Sequence, residues 1–400
     1  MLPAILIFAA TYLVMAVGRF PGFRVDRTGA AIIGASLMLA ANILTVDEAY
    51  HAINYDTIIL LFGMMIVVAN LRLSGFFTLV SAWVVEHAHR PLVLLSSVVL
   101  VSGLFSAFFV NDTMCLVLTP LVLEITTRLR RNPVPYLLAV AMAANIGSTA
   151  TITGNPQNMM IGSFSHIHYR TFAATLAPIA ALGLALTAAV IAAVYRKEFR
   201  QESKLVLEHV PVRIHRALLW KSLAASAAMI AAFFGGWPVP KVAVVAGALL
   251  LVTRRLKPER VYREIDFGLL VMFLGLFIVV AGIEKVGVVD DLFRAAARFH
   301  LERTAPMALF TAALSNVVSN VPAVLVFRSV VPRLPDAARA WLTLAMSSTL
   351  AGNLTVLGSV ANLIVVERAR RQVRIGFWEY ARAGVPLTVL TLAAGIWMLN

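Results

Sequence analysis

Runs of apolar residues long enough to cross a lipid bilayer recur along the whole chain, and several are interrupted midway by Gly, Asn or Pro. A helix needs about 20 consecutive apolar residues to span the hydrocarbon core. Composition supports the reading: 60% of the 400 residues are hydrophobic and 14% charged, whereas soluble domains carry about 25% charged residues. In lipid a segment must satisfy its own backbone hydrogen bonds, so the expected fold is an all-α polytopic membrane protein. The longest polar stretch, about 196–216, is too short for a soluble domain. Leu2 to Gly18 reads as a retained helix rather than a cleaved leader. The single Cys115 excludes an internal disulfide and any multi-cysteine metal site.

The chain resembles itself at an offset of about 204 to 212 residues. LLFGMMIVVANLRLSG (60–75) matches MFLGLFIVVAGIEKVG (272–287), SAFFVN (106–111) matches SNVVSN (315–320), and TITGNPQNMMIG (151–162) matches TVLGSVANLIVV (355–366). Two repeats follow, 1–205 and 216–400, joined by a cytoplasmic linker at 206–215. Five crossings are expected in each: near 2–18, 29–46, 57–73, 135–163 and 171–195, then 216–234, 240–254, 267–283, 341–366 and 376–399. Two further apolar stretches, 92–130 and 305–332, are broken at FFVNDT and VVSNVP and read as re-entrant hairpins. An odd number of crossings inverts the second repeat. The segments 76–90 and 289–300 read as amphipathic helices lying along the interface.

The net charge of +14 comes largely from short loops, which favours a topogenic role over nucleic-acid binding. Arg19, Arg24 and Arg27; Arg128, Arg130 and Arg131; Arg196, Lys197, Arg200 and Lys204; Arg254, Arg255, Lys257, Arg260 and Arg263; and Arg368, Arg370, Arg371 and Arg374 fall on one side. The loop TVDEAYHAINY (46–56) carries acids and no Lys or Arg. The positive-inside rule then places both termini on the periplasmic side of a bacterial inner membrane.

Four interruptions inside apolar segments need protein or a wet cavity around them: NDT (111–113), GSTATITGNPQN (147–158), SNVP (319–322) and AGNLTVLGSVAN (351–362). Half-helix ends meeting near the midplane would form a substrate site. Gly154 and Gly358 free the backbone. Asn111, Thr113, Thr151, Asn155, Gln157, Asn158, Ser319, Asn320, Thr355, Ser359 and Asn362 offer donors and acceptors to a small inorganic solute. Asp112 is the expected proton carrier, since an acid at membrane depth is costly and desolvation favours its protonated form; capping of the following half-helix is the alternative, and the two roles can coexist. Cys115, three residues on, is a candidate metalloid contact or ordinary packing. Arg328 could attract an anion or snorkel. His87/His89 and His166/His168 lack a fuller ligand set, and no metal site or cofactor is expected. No P-loop is present, although a soluble ATPase subunit on the basic loops and a homodimer are both compatible with the pattern. No catalytic constellation suggests an enzyme.

NDTMCLVLTP, GNPQN, SNVP and LGSVANL together resemble the ion transporter superfamily, which includes ArsB-type arsenite/antimonite permeases, NhaD-type sodium/proton antiporters and divalent anion/sodium symporters. The resemblance implies two inverted repeats enclosing one substrate site. Dicarboxylate symporters typically carry Ser-Asn-Thr at both hairpin tips; here the triplets are Asn111-Asp112-Thr113 and Ser319-Asn320-Val321. The expected activity is therefore arsenite or antimonite export by proton antiport. The alternative is sodium- or proton-coupled transport of a small carboxylate or other inorganic anion.

Overall fold

The computed structural model describes residues 1–17, 25–87, 90–200, 214–254, 256–288, 294 and 297–400, and among these there is no strand. The first repeat contains α1 (Leu2–Val17), α2 (Arg27–Ala40), α3 (Val46–Ala52), α4 (Tyr55–Ser74), α5 (Phe76–His87), α6 (Pro91–Phe108), α7 (Asn111–Arg128), α8 (Pro133–Ser148), α9 (Pro156–Ser165), α10 (Tyr169–Val194) and α11 (Arg196–Phe199). The second contains α12 (Arg216–Phe234), α13 (Val239–Leu251), α14 (Pro258–Tyr262), α15 (Phe267–Lys285), α16 (Thr304–Val318), α17 (Asn320–Phe327), α18 (Ala337–Ala351), α19 (Val360–Ala369) and α20 (Phe377–Leu399). The expected linker and most of the second interfacial helix fall outside the described residues, as do Arg19, Arg24, His89, Lys204 and Arg255.

Packing pairs in one repeat have counterparts in the other. Helix α4 packs on α13, and its counterpart α15 on α2; α6 packs on α8, and α16 on α18; α7 packs on α19, and α17 on α9. These pairings sort the molecule into two bodies. Helices α1, α2, α4, α12, α13 and α15 form a scaffold, while the hairpins, the broken helices, α10 and α20 form an inner bundle. Helix α8 is buried along its whole length from Val134 to Ser148, so it is the axis of that bundle. Close approach is set by small residues: a Cβ on Gly147 would lie 2.0 Å from the Gly103 carbonyl oxygen, so α6 rides directly on the α8 backbone.

Among the described residues, six helices are long and apolar enough to cross a membrane by themselves: α4, α6, α10, α12, α15 and α20. Helix α6 is among them, and it leads into a hairpin. It stops at Phe109 and Val110, and the chain returns as α7. The turn lies two residues earlier than the sequence pattern suggests, because Asn111, Asp112 and Thr113 are already the first turn of α7. The second hairpin turns at Ser319 alone, whose φ of 77° is costly for a residue with a Cβ.

Charge is less one-sided than the first repeat implies. Arg328 lines a pocket with Asn54 and Asp56 at the end of the acidic loop 46–56. Arg339 pairs with Asp336 at 3.3 Å, and Lys285 with Glu48 at 2.6 Å. The hydrogen bond from Lys285 helps to draw the Glu48 carboxyl down to about 2. On the arginine-rich face Glu124 pairs with Arg128 at 2.6 Å, an interfacial contact. There Arg131 and Glu198 form a buried pair at 2.7 Å that ties the α7–α8 corner to α11.

Candidate substrate site

Each broken helix stops and restarts for local reasons. In the first, Pro156 has no N–H to continue the ladder, and Asn155 caps the new helix by accepting from the Asn158 N–H at 2.8 Å. In the second, Ser359 caps α19 by accepting from the Ala361 N–H at 3.2 Å. The amides of Asn158 and Asn362 then close the two irregular loops in the same way. Asn158 donates to the carbonyls of Ser148 and Thr151 at 3.1 and 3.0 Å. Asn362 donates to those of Gly352 and Thr355 at 2.7 and 3.0 Å. Both acceptors in the second set lie 204 residues after those in the first.

The loops meet each other and the hairpin tips. Asn145, on α8 just before the first break, donates to Asn353 Oδ1 and Asn362 Oδ1, both at 2.9 Å. Its own Oδ1 accepts from Asn111 at 3.0 Å and Ser359 at 3.1 Å. Thr349 occupies the equivalent place in the second repeat and accepts from Asn155 and Gln157, both at 3.2 Å. The first hairpin is pinned by the Asn111 N–H, which donates to the Gly154 carbonyl at 2.9 Å. A Cβ on Gly154 would lie 2.1 Å from the Ser148 oxygen, so the loop needs glycine there. The Asn320 side chain pins the second hairpin, donating to the Ser348 and Gly358 carbonyls at 3.2 and 3.3 Å and accepting from Gln157 at 3.2 Å. All four interruptions thus converge on one buried polar cluster.

The remaining expected residues divide. Thr151 faces the first hairpin, donating to the Ala107 carbonyl. Thr113, Ser319 and Thr355 make no side-chain hydrogen bond into the cluster, and Gly358 contributes its backbone. Asp112 is half-buried and outside the asparagine network; the charged groups within electrostatic reach are Asp266 and Arg27, where α15 and α2 begin. It therefore faces the seam between inner bundle and scaffold. Cys115 is fully buried near the Tyr380 hydroxyl. No group of His, Cys, Asp and Glu suited to a metal ion occurs among the described residues.

Sequence reasoning passed over Asn145, Asn353, Thr349 and Ser148. Two signals could have found them. Asn145 and Thr349 stand 204 residues apart, the same offset as the matched breaks, and both are polar residues in apolar helices. Three amide oxygens around the breaks, on Asn111, Asn158 and Asn316, are buried without a hydrogen-bond partner, as is the Tyr380 hydroxyl. No lysine or arginine hydrogen-bonds into the cluster among the described residues. Such a site offers dipoles and acceptors instead of fixed charge.

Inverted repeats, paired hairpins and paired broken helices around one polar centre define a membrane transporter. The comparisons place it more closely: a family model described as citrate transporter, CitMHS, matches residues 10–351, and the chain belongs to that family. A 46 kDa membrane protein of Mycobacterium leprae is 31% identical, over 99% of this chain and 97% of that one. The silicon efflux transporter LSI3 of Oryza sativa subsp. japonica is 29% identical, over 94% and 93%. In fold, the chain is similar to the Alcanivorax borkumensis YdaH transporter, with a TM-score of 0.62 at 15% identity, over 99% and 95%. The protein is a multi-pass membrane transporter and not an enzyme.

Proposed function

We propose that this transporter exports arsenite or antimonite, carried as uncharged trihydroxides, in exchange for protons. One observation carries the reading: the cluster combines unpartnered amide oxygens with no fixed cation among the described residues. Hydroxyl groups of a neutral acid can donate to Asn111 and Asn158, whereas a carboxylate would meet oxygen lone pairs with no compensating charge. The named substrate of the rice relative supports the same chemistry, because dissolved silicon at neutral pH is itself an uncharged hydroxylated acid. Asp112, on the seam with the scaffold, is the proton carrier. Alternating access comes from the inner bundle moving against the scaffold. The arginine-rich face is cytoplasmic in a bacterial inner membrane, and both termini are periplasmic.

The family's description favours a second reading, coupled transport of a small carboxylate. It ranks second because a dianion would need cations at the cluster. Everted vesicles separate the two: a proton gradient, acid inside, should drive arsenite or antimonite uptake against its concentration gradient. Citrate uptake in the absence of metalloid uptake would overturn the proposal. Equilibration without accumulation would mark a passive channel.

A further inference from the structure

A pocket of about 350 Å³, open at the surface beside Asn54 and Asp56, lies away from the central cluster. Three helices lead to it from the cluster. Gln157 to Ser163 on α9, Asn320 to Arg328 along α17, and Thr349 back to Trp341 on α18 each cover about 9–12 Å at 1.5 Å per residue. Ser163, Phe164, His166, Arg328 and Trp341 line the cavity from the inner bundle, and Asp56 lines it from the scaffold helix α4.

Arg328 is partly buried at the end of α17. Its guanidinium lies over the Phe164 ring, 5.2 Å from the centroid. One terminal nitrogen is buried without a hydrogen-bond partner. Asp56 lines the same space, yet no ion pair joins the two among the described residues. The partly buried Arg328 guanidinium, the exposed Asp56 carboxylate and the exposed His166 ring line one open pocket, a set of donors and acceptors that suits a solute able both to accept and to donate. An anion would be opposed by Asp56, and a cation by Arg328.

We propose that this cavity is a second binding site for an uncharged hydroxylated acid, with Arg328 donating to its oxygens and Asp56 accepting from its hydroxyl groups. It stands on the route between the cluster and that surface. The proposal rests on the neutral-cargo reading above and extends it to a second position.

Equilibrium dialysis of arsenite against the purified full chain in detergent tests it. The intact protein should bind two equivalents and Arg328→Met one. Asn145→Ala should lose the central equivalent and keep the one at Arg328. Asp56→Asn should weaken the outer equivalent at least tenfold, providing a second variant should Arg328→Met fail to fold. Two equivalents in Arg328→Met would overturn the outer site, as would displacement of one equivalent by inorganic phosphate. One equivalent in the intact protein, lost in Asn145→Ala and kept in Arg328→Met, would overturn the outer site while leaving the neutral cargo standing. No arsenite bound at all would overturn both.

Discussion

Asn145→Ala is expected to lower transport roughly 100-fold, about 3 kcal/mol, while the purified protein still runs as a folded species. Asn145 joins the first hairpin to the second broken helix through four hydrogen bonds, to Asn111, Asn353, Asn362 and Ser359. Alanine leaves each of those partners with a lost bond in a dry interior, and each buried group so exposed costs about 1–3 kcal/mol. Relaxation of the short loops recovers part of this, which is why the expected loss is below the sum. Thr349→Ala should cost less, because Thr349 only accepts from Asn155 and Gln157. Initial uptake rates in vesicles, normalised to folded protein, check both. Equal effects of the two variants would contradict the hub assigned to Asn145.

The second large effect belongs to Asp112→Asn. An amide cannot carry a proton, so accumulation driven by the proton gradient should fall to the level of empty vesicles. Exchange of labelled for unlabelled cargo across the same membrane should continue, since Asp112 lies outside the asparagine network and faces Asp266 and Arg27 instead. The potential alone supplies about 2.3 kcal/mol per charge per 100 mV, or ~50-fold accumulation, so the loss is easily read. Retained accumulation would remove Asp112 from the coupling step. Loss of exchange as well would instead make it part of cargo binding.

Much of this architecture is legible in the chain because hydrocarbon permits so few solutions. Apolar runs locate the helices, Gly154, Pro156 and Gly358 mark where helix is interrupted, and Asn158 and Asn362 stand in the first turns of the restarted helices. The symmetric closure of both loops follows from matched asparagines at one offset. Other features depend on distance in sequence. Asn145 lies 208 and 217 residues from the partners it bridges, and its own helix gives no local sign of a break. FFVNDT marks the break in the first hairpin; within it the chain turns at Phe109 and Val110, and Asn111 already opens α7 with its side chain against Asn145. Asp112 follows Asn111 directly yet stands outside the asparagine network, because successive residues of a helix point about 100° apart. Arg328 leaves both of its readings open in the sequence, and its packing over Phe164 is a contact that sequence spacing does not show.

Current recorded from proteoliposomes on a solid support tests the central claim most directly. A jump of arsenite in the bath should drive positive charge out of the liposomes as protons exchange for an uncharged cargo. The current should vanish in Asn145→Ala, and an equal jump of citrate should be silent. Citrate-evoked current from protein that is silent to arsenite would contradict it.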